Sequence, residues 1–131
     1  MASSTTPSLL ASCHCGGIEI LLPSLPEFVK ECQCSACYKY GALWGYLHRK
    51  DVQITTSHGA TLEKYVRSDE GSDGDISFNR CSRCGCMVCW FGEVVPPTGW
   101  DGPERMAVNC RMLPKEAIEG IERRVVPGPG N

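Results

Sequence analysis

A chain of 131 residues, 42% hydrophobic and 21% charged, has the size and make-up of one folded domain and is neither disordered nor fibrous. Its formal net charge of −2 and pI of about 5.9 speak against the basic footprint of a nucleic-acid binder. No apolar run nears the roughly 20 residues that cross a bilayer, and Met1–Ser8 offers neither a positive nor a long apolar stretch, so the sequence predicts a non-membrane, non-secreted, cytoplasmic chain.

In chain order, residues 1–8 read as a disordered Ser/Thr/Pro-rich arm, residues 9–125 as a single domain, and residues 126–131 (Val-Pro-Gly-Pro-Gly-Asn) as a tail. Gly17–Leu22 alternates and breaks at Pro23, which predicts a strand. Phe28–Cys32, the aromatic-rich Ala42–Leu47 and the alternating Thr61–Val66 predict three more. Asp69–Asp75 is a turn by composition, leading to extended runs at Ile76–Phe78, Met87–Phe91 and Arg105–Asn109, with a loop opening at Pro96–Gly99. Only Pro114–Ile121 reads as helix, with Pro at its start and Gly120 near its end. Many short strands, abundant Gly and Pro and little helix make the expected fold mainly β.

The outlier is cysteine, at 10 of 131 residues. In a reducing compartment, close cysteine clusters read as metal sites rather than disulfides. Zinc takes thiolates in close pairs from two places in a chain. Cys13-His-Cys15 is one such pair, because residues i and i+2 of an extended chain face the same side. Cys81-Ser-Arg-Cys84-Gly85 is another, a knuckle whose glycine can take the turn. Four sulfurs close the shell, so Cys13, Cys15, Cys81 and Cys84 predict a structural zinc.

Cys32-Gln-Cys34-Ser-Ala-Cys37 offers three thiolates, one short of a tetrahedron. Three protein ligands with an open position are the arrangement of a catalytic zinc. The alternative is a second structural site completed by Cys110, Cys86 or Cys89.

These motifs, with Phe78–Gly85 and Val108–Leu113, occur in an order that resembles the glutathione-dependent formaldehyde-activating enzyme family, which includes centromere protein V. The resemblance spans about Leu10 to Leu113. It implies a β-tent of small antiparallel sheets pinned by a structural zinc. It also implies a second, catalytic zinc on Cys32, Cys34 and Cys37, giving two zinc ions per chain. The implied activity is that of a zinc-dependent carbon–sulfur lyase, with glutathione as co-substrate and S-hydroxymethylglutathione as product.

The expected partners are therefore a small-molecule thiol or carbonyl compound, and neither nucleic acid nor membrane. Two other functions stay open: a Lewis-acid isomerase, dehydratase or cyclase for an activated carbonyl metabolite, and a non-catalytic zinc module that binds a partner. Cys110 is a further possible ligand, although a buried small hydrophobe is the plainer reading, as it is for Cys86 and Cys89. His48 and His58 are candidate bases, and His14 is expected to face solvent. Trp44, Tyr46, Trp90 and Phe91 read as core or pocket wall. Lys39, Lys64, Arg80 and Arg83 are candidate partners for glutathione carboxylates, each weighed against plain surface charge.

Overall fold

A computed structural model describes residues 9–69, 72–93 and 106–128. The expected arm at 1–8, the Pro96–Gly99 loop and residues 129–131 of the expected tail lie outside the described residues. The strands in chain order are β1 (Leu10–Ser12), β2 (Ile18–Leu21), β3 (Phe28–Cys32), β4 (Trp44–Tyr46), β5 (Gln53–Thr56), β6 (Leu62–Asp69), β7 (Ser72–Cys81), β8 (Met87–Gly92), β9 (Met106–Asn109) and β10 (Glu122–Val126). Two short helices, α1 (Ser35–Tyr40) and α2 (Lys115–Ile118), join them. The chain is mainly β, as its composition predicts.

The strands form a small sheet ordered β1-β2-β5 and a larger one ordered β10-β3-β4-β9-β8-β7-β6. In the larger sheet β10 lies parallel to β3, with Glu122 opposite Phe28 and Val126 opposite Cys32, so this sheet is mixed rather than wholly antiparallel. The strand thus runs one residue into the segment expected as tail. The predicted turn at Asp69–Asp75 is shorter than its composition suggests, because β7 already starts at Ser72 opposite Asp69.

Burial follows position in the sheet. Central β8 is buried from Met87 to Phe91, and β9 is buried throughout, whereas edge strand β10 is almost wholly exposed. One core cluster gathers Ile18, Ile20, Leu22, Val29, Leu43, Val88 and Val108. A second gathers Trp44, Phe78, Met87 and Trp90 around Cys32, Cys34 and Cys37. In it the rings of Trp44 and Phe78 stack with centroids 6.1 Å apart, and Tyr40 tilts against Phe78 at 5.0 Å. Buried Asn109 ties the cores: its Oδ1 accepts from the N–H of Leu43 and of Arg111, and its Nδ2 donates to the Met87 carbonyl.

Candidate metal centres

The turn between β1 and β2 carries Cys13 and Cys15, and the end of β7 with the turn into β8 carries Cys81 and Cys84. The first pair belongs to the small sheet and the second to the large one, so the four sulfurs meet where the sheets join. All four lie within 4.8 Å of one another. The Sγ separations are 3.7 Å for Cys13–Cys15 and 3.6 Å for Cys15–Cys81. A tetrahedron with zinc–sulfur bonds near 2.3 Å has edges of about 3.8 Å, so the set fits that ion without rearrangement.

Backbone N–H groups of Ile18, Gly17 and Arg83 donate to the sulfurs of Cys13, Cys15 and Cys81, each at 3.3 Å. Burial opposes ionisation of Cys84, yet the N–H groups of Cys86 and Cys15 hold its thiol down to about 5. The Gly17 N–H pulls Cys15 the other way from burial and its sulfur neighbours, which leave it up at about 11. Four thiols this close cannot all lose their protons without a cation among them. The donor chemistry therefore fits a closed, four-thiolate metal site.

The second cluster is built by a strand end and a helix start. Cys32 ends β3, Cys34 is the N-cap of α1 and Cys37 lies in its first turn, so the Cys-x-Cys-x-x-Cys spacing folds three sulfurs inward. Their Sγ atoms lie within 4.8 Å of one another and all three residues are buried. The Cys37 N–H donates to Cys34 Sγ at 3.3 Å, the bond that caps the helix. Gly41 closes α1 in the left-handed conformation at φ 66°, donating to the carbonyls of Cys37 and Tyr38.

Burial pushes Cys37 well up and, less strongly, Cys32. Cys34 goes down despite its burial, because the N–H of Cys37 and the neighbouring thiols donate to it. Two buried side-chain donors among the described residues have no hydrogen-bond partner, Trp44 Nε1 and Arg67 Nη2. Trp44 packs in the core cluster of the three cysteines, and Arg67 Nη1 donates to Cys34 Sγ at 3.4 Å. Three buried sulfurs ringed by donors fit a thiolate-bound divalent ion, and among the described residues no fourth His, Cys, Asp or Glu joins them.

A cleft of about 150 Å³ opens on Cys32 and Cys37, walled by Tyr38, Gly41, Arg111 and Arg123. Arg111 leans on the Gly41 carbonyl through Nε, while Arg123 pairs with Glu31 across the β10–β3 seam. A roomier cleft of about 300 Å³ lies over Leu25, Pro26, Phe28 and Tyr46, and none of the clustered cysteines lines it. The chain also passes close to the trio at Gly128, where a Cβ would stand 2.4 Å from Cys32 Sγ and 2.9 Å from Cys34 Cβ.

The structure thus brings together both expected cysteine sets and leaves the other candidates apart. Cys110 is fully buried in the first core cluster, its sulfur reaching the Val108 carbonyl at 3.7 Å, so it is no fourth member of the trio. Cys89 is likewise core, and burial pushes both thiols up to about 12. Cys86 sits half-buried beside Cys84. His14, His48 and His58 are exposed.

Lys64 is paired with Glu93 and Arg80 with Glu63, while Lys39 and Arg83 are exposed. Sequence reasoning missed Arg67, Arg111 and Arg123. Nothing local marks the first, and the other two reach the cleft only through the packing of distant elements.

Comparison with known families gives one match: a model described as "Glutathione-dependent formaldehyde-activating enzyme" covers residues 8–99. No curated protein matches the chain. Among solved structures, a structural-genomics target, a crystal structure of a Rhodobacter sphaeroides protein, is similar with TM-score 0.60 and 20% identity. The match covers 87% of this chain and 98% of that one. At that identity the likeness speaks for the fold alone.

Proposed function

We propose, because this chain belongs to the glutathione-dependent formaldehyde-activating enzyme family, that Cys32, Cys34 and Cys37 hold a catalytic zinc and that the chain joins or parts a thiol and a small carbonyl compound. In the joining direction the thiol sulfur attacks the carbonyl carbon, a carbon–sulfur bond forms, and the thiol proton ends on the carbonyl oxygen. The carrying observation is that the buried three-sulfur cluster opens on a cleft, while the four-sulfur cluster completes its own tetrahedron. Zinc, when bound, supplies Lewis acidity that eases thiol ionisation or polarises a carbonyl oxygen.

The chain's own residues do the rest. The Cys37 N–H on Cys34 Sγ fixes one ligand, and the turn of α1 places Cys37 beside it. Arg111, held by the Gly41 carbonyl, presents a guanidinium at the cleft that suits a substrate carboxylate. Trp44, Phe78 and Tyr40 wall the buried side and keep water from it. Cys13, Cys15, Cys81 and Cys84 hold a second, structural zinc in this reading.

The test is metal counting by mass, followed by glutathione and formaldehyde with carbon-13 detection of the hydroxymethyl adduct. Two zinc ions per chain and faster adduct formation or breakdown than in buffer support the proposal. One zinc ion, or no acceleration at millimolar thiol, overturns it.

The size of the cleft favours a second reading. About 150 Å³ is below the roughly 300 Å³ at which drug-sized ligand pockets start, so it admits one end of glutathione or the whole of a small carbonyl metabolite. Acceleration of an isomerisation or dehydration of such a compound, without thiol dependence, would select that reading.

A further inference from the structure

β6 is an exposed strand with one exception. Between Leu62 and Asp69 only Arg67 is buried, at 1% exposed, whereas Glu63, Lys64 and Asp69, the other charged side chains of the strand, stay in water as charged groups normally do. The ladder between β6 and β7 shows why. Val66 pairs with Ser77 and Ser68 with Asp73, so Arg67 alone stands opposite residues 74–76, and the extra residues of the bulge lie on β7 facing it. A bulge bends its strand and sharpens the local twist, which changes how the residue opposite it is presented. Here it turns a guanidinium away from solvent and onto the three-cysteine cluster.

The contacts match that placement. Nε donates to Asp69 Oδ1 at 2.8 Å and Nη1 to Cys34 Sγ at 3.4 Å, while Nη2 is buried and unpaired. Asp69 is 37% exposed and two residues away on the same strand, so an arginine on the surface would reach it as well. The pairing with Asp69 therefore does not explain the burial. The sulfur cluster does: three thiolates on a divalent ion leave one surplus negative charge, and a buried arginine is its natural counter-ion.

We propose that Arg67 is a positioning residue of the Cys32–Cys34–Cys37 centre, holding Cys34 by a charge-assisted N–H···S bond and offsetting the centre's surplus charge. This rests on the metal-site reading given above. Because the bond draws charge from one ligand sulfur, the bound ion is left more electron-poor, and the Cys34 sulfur is fixed in direction.

The test loads the full chain with cobalt(II) and measures chelator competition for the second ion together with the cobalt–thiolate charge-transfer band. R67Q should weaken the second ion by roughly 10- to 100-fold and shift the band, R67K should fall between, and R80Q, an exposed arginine on β7, should match the parent. Parent-like affinity within about twofold and an unmoved band in R67Q would overturn the assignment while leaving the metal site standing. A parent chain that binds a single ion removes the site reading and this proposal together.

Should R67Q fail to fold, nitrogen-15 spectra of the unmodified, metal-loaded protein decide. A bonded guanidinium gives separate, slowly exchanging Nη signals for Arg67. Averaged, freely rotating signals would overturn the proposal.

Discussion

Gly128 occupies a place that no other residue fits, because its φ of 72° is left-handed and a Cβ there would stand 2.4 Å from Cys32 Sγ. G128A should therefore strain the backbone by about 1 kcal/mol or more and push on the ligand, loosening the second metal ion while leaving the first untouched. Chelator competition on the two ions separately reads this out. The thiols give a second expectation. In the folded chain Cys89 and Cys110, fully buried and pushed up to about 12, should stay unreacted towards iodoacetamide, and they should be alkylated only once metal removal or denaturant unfolds the chain. Peptide mass mapping against time of iodoacetamide exposure checks this. At this scale the two cysteine clusters were legible because spacing alone puts sulfurs on one side of a strand or turn. Arg67 and Gly128 were not, since one depends on a bulge and the other on the pairing of β10 with β3.

Strand edges carry a different kind of information. Glu93, just past β8, accepts from Ser77 on β7 and pairs with Lys64 on β6, so one carboxylate spans three strands. Ser77 and Lys64 hold its pKa below the usual value near 4.5. A lowered folded-state pKa means the contact stabilises above the unfolded carboxylate's range and is lost as pH falls through the folded value. E93Q should thus lower the urea midpoint modestly at pH 7 and have no effect near pH 2, as denaturation series at the two pH values would show. The predicted strands over Phe28–Cys32 and Met87–Phe91 match β3 and β8 almost residue for residue, because aromatic and β-branched runs bounded by turn residues have few other uses. α1 escaped notice: six residues, Ser-Ala-Cys-Tyr-Lys-Tyr, are too few to show helical periodicity, and a cysteine serves as its cap. β10 escaped because Glu-Arg-Arg-Val-Val is an exposed edge whose partner lies far off in sequence.

For the molecule as a whole, the two cysteine sets should fail in different ways. The four-sulfur set joins the sheets, and structural zinc contributes on the order of 10 kcal/mol to folding. C81S should therefore unfold the chain at room temperature, whereas C34S should keep its far-ultraviolet circular dichroism and lose only the second ion. Equal loss of structure in both variants would make the three-sulfur set structural too. Composition and cysteine spacing made the β class and the two cysteine clusters readable, while the sheet order, which crosses from β10 to β3 and from β4 to β9, needed three dimensions. That crossing has a kinetic side. Glu122–Val126 lies beside Phe28–Cys32, so nearly the whole intervening chain must be ordered before this seam can zip, and such long-range closures are slow. On the proposed two-ion reading, maturation would be sequential: the sheet junction would capture its ion early, and the cleft would receive its wall last. Freshly synthesised protein should pass through a half-loaded stage, detectable as one tightly held ion per chain seconds before the second arrives.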